Sequence, residues 1–328
     1  MISMHSCRRA IVAAIAIVAC TLLAAPSSGQ DTRKLESLTV EQARELVAKK
    51  QPPLFDSTGA WLSLDGLKML SPEVAAVLVE PAEQLPLDGL TELSPETAAV
   101  LAKHKPVGGF GYADLRLNGL KSISAEAAEA LATHQGKVLL YGLKKLDSLP
   151  LAKKLAGQWG ELRLGITELS PEIAAELAQN AGVAEDKTQP GIIHRRADRA
   201  PSVLRLDNLR SLSPETAEAL SKHSGVLVLN GLVSLDPPVA TSLAKRTGTL
   251  VLNGLPSLST EAAAALAEFP GELVLKAITE LPPDAAAALA KHKGRLHLTG
   301  LTAISPETRA ALQGHANLLL PRQVPSGP

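Results

Sequence analysis

A glycine recurs every 23 residues through most of this sequence, and that period constrains the fold more than any other feature. The glycines are Gly66, Gly89, Gly119, Gly142, Gly165, Gly231, Gly254 and Gly300, while Asn208 and Ala277 occupy the two remaining slots. Seven of the nine steps are 23 residues long, one is 30 and one is 43. Such a period is typical of solenoids, in which every repeat is one supersecondary unit stacked on the next. The sequence therefore predicts about ten stacked units.

Each unit begins with a pattern that predicts a short strand followed by a turn. Two leucines alternate with period two, as at Leu115 and Leu117, which is typical of a strand with one buried face. The glycine that follows permits a turn or a close approach of two backbones. Asp or Asn often precedes it, as at Asp88 and Asn118, which favours a turn.

The second half of each unit predicts a helix with a well-marked start. The expected N-cap residues are Ser71, Ser94, Ser124, Asp147, Ser170, Ser213, Asp236, Ser259 and Ser305, and only Pro282 departs from the pattern. Such side chains accept a hydrogen bond from the free N–H groups of the first turn. Proline then follows in seven units, as at Pro95, where its missing N–H costs nothing. Ala98 and Leu101 illustrate the narrow apolar face of the helix.

Composition supports a single stack instead of two conventional domains. Aromatic residues make up only 2% of the 328 residues. A large irregular core would use more of them, because their size fills uneven space. A core made of Leu, Ile, Val and Ala suits identical layers.

We predict four segments along the chain. Residues 1–29 form a signal peptide, and residues 30–60 form an N-terminal cap helix with its connector. Residues 61–317 form a ten-unit repeat solenoid with loop insertions at 106–112 and 183–200. Residues 318–328 form a C-terminal cap strand and a tail.

The first segment predicts export. Arg8 and Arg9 precede the apolar run Ala10–Ala25, and small residues before Gln30 offer a cleavage site. A run of 16 residues is short for a membrane span, so we expect no integral membrane segment in the mature chain. Alternatively, Cys20 ends a lipobox-like sequence and carries a lipid anchor. Either route places the protein in the periplasm, on the cell surface or outside the cell.

Cysteine usage and charge narrow the range of partners. The only cysteines are Cys7 and Cys20, both within the predicted signal segment, so the mature chain has no disulfide bonds. Without Arg8 and Arg9 the chain has 31 basic and 33 acidic residues, a net charge of −2. Nothing in this balance predicts nucleic acid or anionic lipid as a partner.

The repeat resembles the leucine-rich repeat superfamily, and within it the short bacterial repeats of 23 residues, over about residues 35–320. The Leu-x-Leu core and the period match, although the usual inward Asn of the family is absent. The resemblance implies an α/β solenoid with short parallel strands on a concave face and short helices on a convex face. It also implies a role in macromolecular recognition.

Candidate partner-binding residues come from the strand positions that should point away from the core. A patch in the middle of the chain consists of Arg116, Leu139, Tyr141, Arg163 and Arg205. A second candidate is the stripe Val228, Val251 and Val274 on consecutive strands, since an apolar stripe facing solvent indicates a contact surface. The preference of valine for strands explains the stripe equally well.

The remaining polar pattern does not indicate catalysis. One slot at the helix ends holds His104, His134, Asn180, His223, Arg246, Phe269, His292 and His315. This variety indicates a helix C-terminal capping position more than a metal site. No Ser-His-Asp or paired-carboxylate arrangement stands out, so we expect no enzymatic activity and no cofactor. Two functions remain: a scaffold that recognises a protein or an envelope polymer through its concave face and a rim formed by the loop insertions, or a structural spacer of the envelope.

Overall fold

The computed structural model of the chain describes residues 35–49, 64–80, 84–105, 114–158, 160–180 and 201–321. The predicted signal peptide with Cys20, the insertions at 106–112 and 183–200 and the end of the tail lie outside these residues. Within them, short helices and short strands alternate along the chain.

The helices are α1 Val40–Lys49, α2 Pro72–Val79, α3 Pro95–Leu101, α4 Ala125–Ala132, α5 Leu149–Ala156, α6 Pro171–Leu177, α7 Pro214–Ser221, α8 Pro237–Ala244, α9 Thr260–Ala267, α10 Pro283–Leu289 and α11 Pro306–Leu312. The strands are β1 Gln84–Pro86, β2 Asp114–Arg116, β3 Val138–Leu139, β4 Glu161–Arg163, β5 Val203–Arg205, β6 Val226–Val228, β7 Thr249–Val251, β8 Glu272–Val274, β9 Leu296–His297 and β10 Leu318–Leu319. At the start of α1, Thr39 and Gln42 form a capping box, with the Gln42 side chain accepting from Thr39 N–H at 2.9 Å.

All paired strands are parallel and follow chain order, β1 to β3 in one sheet and β4 to β10 in another. Equivalent leucines are in register, as Leu227 is with Leu204 and Leu250. Each helix packs on the next one along the chain. Because helices are about 10 Å wide and strands are only about 4.8 Å apart, the sheet occupies the inner side of the curve. The predicted α/β solenoid is therefore confirmed.

The core consists of equivalent apolar side chains in every layer. In one unit Leu115, Leu117 and Leu120 of the strand and turn are buried, and Ala127 and Leu131 of α4 cover them. This arrangement explains why the sequence uses so few aromatic residues.

The recurring glycine is required by close approach between layers, not by its backbone conformation. A Cβ on Gly119 would lie 2.1 Å from the carbonyl oxygen of Asp88, and one on Gly254 would lie 1.9 Å from that of Asn230. Among the described glycines, only Gly160 and Gly248 have a positive φ. The glycine positions therefore have no room for a side chain that points at the preceding turn, whereas Asn208 and Ala277 occupy the slot in two other units.

One predicted N-cap is wrong. The N-cap of α5 is Ser148, whose Oγ accepts the N–H of Leu151 at 3.3 Å, and not Asp147. The core requires Leu151 and Leu155 to face inward, which shifts this helix one residue later than the regular period. The shift ends at Gly165, where the turn is one residue shorter.

The sheet is interrupted where that shift occurs. Leu117 N–H donates to Leu139 O at 2.9 Å, and Leu164 N–H donates to Arg205 O at 3.1 Å. The equivalent bond from Leu140 to β4 is missing from the ladder as far as the structure describes it. The helices and the turns remain stacked across this point, since Thr167 N–H donates to Lys144 O at 2.9 Å.

Candidate binding surface on the strand face

The strand face has a cluster of charged and aromatic side chains at its centre. We call Arg116, Leu139, Tyr141, Arg163 and Arg205 the middle patch. Leu139 is in register with Arg116, and Arg163 is in register with Arg205. Together they span the interruption of the sheet.

Two of the three arginines are held by carboxylates, mainly from other units. Arg116 forms an ion pair with Asp88, whose other oxygen accepts the N–H of Asn118 at 3.1 Å. Arg205 binds Glu161 at 2.7 Å and Asp207 at 3.4 Å. These pairs stay partly exposed, so they contribute more to orientation than to stability.

The third arginine lies against the exposed aromatic ring of the patch. The guanidinium carbon of Arg163 is 5.8 Å from the ring centroid of Tyr141, within cation–π range. The described parts of the chain place no carboxylate in an ion pair with Arg163. Both side chains are exposed to solvent.

Electrostatics around Tyr141 confirm that the patch is compact. Burial raises the pKa of the Tyr141 hydroxyl, and the charge of Glu161 raises it further. The charges of Arg163 and Arg116 act in the opposite direction. Asp88 raises the pKa as well, so four charged side chains lie close enough to Tyr141 to influence it.

The valine stripe is not the exposed surface that its pattern predicts. Val228 is only 3% exposed and Val274 only 8%, while Val251 is half-buried. None of the three belongs to the core cluster between sheet and helices, so alternation places them correctly on the strand face. They are shielded there because strands about 4.8 Å apart bring β-branched side chains of adjacent layers into contact.

A second polar cluster lies at the C-terminal end of the strand face. His297 Nε2 is 2.7 Å from Glu272 Oε1, and the Thr249 hydroxyl donates to the other oxygen at 3.2 Å. Burial alone would raise the pKa of Glu272, but these hydrogen bonds outweigh it and the net pKa is lowered. Sequence reasoning missed this cluster because it followed only the residues between the two leucines, whereas Glu272 precedes them.

The Asn that precedes the glycine in several units connects layers. The Asn118 side-chain oxygen accepts the N–H of Tyr141 at 3.0 Å, and that of Asn253 accepts the N–H of Lys276 at 3.0 Å. The same link joins Asn230 to Asn253. These side chains therefore act between units, in addition to any preference they have for turns.

The helix-end slot also acts between units. Its members are buried, and the polar ones reach back toward carbonyl groups that end the preceding helix. His134 Nδ1 lies 3.4 Å from Ala102 O, and Arg246 donates to His223 O and Gly225 O at 3.2 and 2.7 Å. Helix ends leave such carbonyls without partners inside the helix. His134, Asn180 and Arg246 thus contact main-chain carbonyls of the preceding unit, so the predicted capping role holds for part of the slot. It does not hold for Phe269, which has no donor, or for His223 and His292, whose ring nitrogens make no hydrogen bond within the described residues.

Two negative findings apply to the described ranges. No group of three or more His, Cys, Asp or Glu side chains there is arranged to hold a metal ion. None of the helices found there is long and apolar enough to cross a membrane.

No protein-family model matches the sequence, and no curated protein matches it either. Among solved structures the chain is similar to a leucine-rich-repeat protein of Leptospira interrogans, at 19% identity and a TM-score of 0.42. The match covers 88% of this chain and 64% of that one, so it spans less than two thirds of that protein. The chain has a leucine-rich-repeat-like fold. That description rests on its own strand–helix units and their parallel register.

Proposed function

We propose that this protein is an exported repeat scaffold that recognises a protein or an envelope polymer through its strand face, without catalysis. The observation that carries the proposal is the Arg163–Tyr141 pair, an exposed guanidinium on an exposed aromatic ring at the centre of that face. Tyr and Arg are the residue types that dominate binding energy at protein interfaces.

The neighbouring ion pairs support this role. Asp88 and Glu161 hold Arg116 and Arg205 in place, which lowers the entropy lost when a partner orders the patch. The same carboxylates balance the charge of the arginines. A partner of mixed polarity therefore fits the patch better than a polyanion such as nucleic acid.

Regular spacing supports an extended partner. Consecutive strands present equivalent side chains about 4.8 Å apart, so a linear segment lying across the strands meets a repeated set of contacts. The valines add little to this surface, because Val228 and Val274 are buried.

Export belongs to the same proposal and rests on the sequence of residues 1–29. The mature protein should begin near Gln30, or at a lipidated Cys20. Intact-mass measurement of envelope material distinguishes the two, and full-length protein starting at Met1 in the cytoplasm would exclude both.

The alternative function is a structural spacer of the envelope. The observation that favours it is the uniformity of the layers, in which leucines and glycines repeat the same contacts from unit to unit. A spacer needs the shape of the solenoid and no particular patch.

Mutation of the patch tests recognition. Mature protein should capture a partner from envelope extract, and Arg163→Ala should weaken that binding by about 10- to 100-fold, as expected for a central interface residue. The control is Arg210→Ala, because Arg210 is exposed but lies outside the patch. Binding that is equally strong in both variants would move the site elsewhere. Absence of any specific partner, protein or polysaccharide, would favour the spacer.

A further inference from the structure

Three rings stack at the C-terminal end of the helix-end slot. We call Phe269, His292 and His315 the C-terminal stack. The ring centroids of Phe269 and His292 are 6.0 Å apart with planes at 20°, and those of His292 and His315 are 5.9 Å apart with planes at 17°. All three side chains are buried. Two imidazoles therefore face each other between layers with little access to water.

His315 holds the start of the last strand in its neutral form. Its Nδ1 accepts the N–H of Asn317 at 3.2 Å, which assigns the proton of the neutral ring to Nε2. Asn317 in turn accepts the N–H of Leu296 through its carbonyl oxygen at 3.1 Å. Protonation of Nδ1 removes the lone pair that Asn317 uses, at the point where β10 joins β9.

His292 sits in a site that disfavours its charged form. Its ring faces the main-chain carbonyls of Ala267 and Gly271 in the preceding unit, but neither ring nitrogen makes a hydrogen bond within the described residues. Burial lowers the pKa of His292, and positive charge on His315 lowers it further, while the carbonyls act in the opposite direction.

The surrounding charged side chains do not stabilise the protonated form of either imidazole. Lys291, Lys293 and Arg295 from the same unit are exposed, as is Arg309 of α11. The preceding unit contributes the exposed Glu268, and the unit before that contributes the buried Arg246. Glu272 is already bound to His297 and Arg295. No carboxylate in the described part of the chain is hydrogen-bonded to either imidazole of the stack.

We propose that the C-terminal stack is an acid-sensitive latch: protonation of its imidazoles releases β10 and α11 while β4 and α6, which lie between Gln158 and Asn180 of the slot, stay folded. The end unit opens first because it has a neighbour on one side only, and repeats couple only to their neighbours. The latch does not depend on the identity of any partner.

Hydrogen exchange of the mature protein at pH 7.5 and pH 5.0 tests the latch. After correction for intrinsic exchange, protection of residues 296–321 should fall at least about tenfold, because His292, whose pKa is lowered in the folded state, takes up a proton when the end unit opens. Protection of residues 160–177 should change less than about twofold, since Gln158 and Asn180 occupy the slot on both sides of that segment and do not titrate. A uniform fall along the chain would overturn the proposal.

Substitutions of the two histidines test whether the C-terminal stack causes the loss of protection in acid. His292→Asn with His315→Asn should abolish the fall in protection, and Asn is a residue that the slot already accepts at Asn180. His297→Gln is the matched control, because His297 lies on the strand face outside the slot. An unchanged acid response in the double variant would overturn the latch.

Ring-proton NMR of the wild type covers the case in which the double variant does not fold at pH 7.5. Protonation of the His292 ring should coincide with the loss of the β10 amide protons. Protonation of His292 with β10 intact would equally overturn the proposal.

Discussion

The side-chain amide of Asn180 donates a hydrogen bond of 3.1 Å to the carbonyl oxygen of Ala156, the last residue of the preceding helix. The same amide donates to Gln158 O at 3.2 Å. Two buried carbonyls of one unit are thus satisfied by one residue of the next.

Asn180→Leu should therefore destabilise the solenoid by about 2–3 kcal/mol, because it leaves both carbonyls buried without a donor. Urea unfolding followed by circular dichroism measures the change. Gln179→Ala is the control, since Gln179 is exposed and bonds only to Glu176 on its own helix. Equal midpoints for the two variants would show that the bridge contributes nothing.

Replacing Arg246 by His should destabilise the protein less than replacing it by Lys. Its guanidinium donates to three carbonyl oxygens, those of His223, Gly225 and Thr249, and it lies 5.8 Å from the Phe269 ring. An ammonium cannot reproduce that planar set of donors, so Arg246→Lys should cost about 2–3 kcal/mol. Arg246→His should cost less, because the slot accepts His at the equivalent position of neighbouring units. Thermal unfolding measures the stability of both variants, and a less stable Arg246→His variant would contradict this prediction.

Gly254 should not tolerate even one methyl group, although Ala277 occupies the same slot in the next unit. Gly254→Ala would place Cβ 1.9 Å from Asn230 O, and we expect a loss of about 1–3 kcal/mol from the resulting displacement. Gly314→Ala is the matched control, because a Cβ there has no neighbour within 4 Å. Equal melting temperatures for both variants would show that the layers adjust at no cost.

The valines of the strand face should differ in their response to polar substitution. Val228→Ser removes a buried apolar side chain and should cost about 1–2 kcal/mol, whereas Val251→Ser should cost less because Val251 keeps contact with solvent. Chemical denaturation of both variants measures the difference. A larger loss of stability for Val251→Ser would mean that the burial of Val228 does not stabilise the protein.

Part of the candidate site follows from the sequence. Alternation about the leucines correctly brings Arg116, Leu139 and Tyr141 to the strand face, because neighbouring residues of a strand point to opposite sides. The carboxylate partners of Arg205 were not predicted. Glu161 lies 44 residues earlier in the chain, and the intervening insertion hides the fact that both residues belong to adjacent strands.

The sequence by itself determined the order of strand, turn and helix in every unit, because those signals are local: paired leucines, one glycine and a Ser-Pro-Glu start within 23 residues. Only the tertiary structure decided which groups meet between units. Stacking sets the distance from a slot side chain to the carbonyls of the preceding helix, and it sets how closely Val228 is shielded by its neighbours. It also moved the start of α5 to Ser148, because burying Leu151 and Leu155 stabilises more than keeping the regular period.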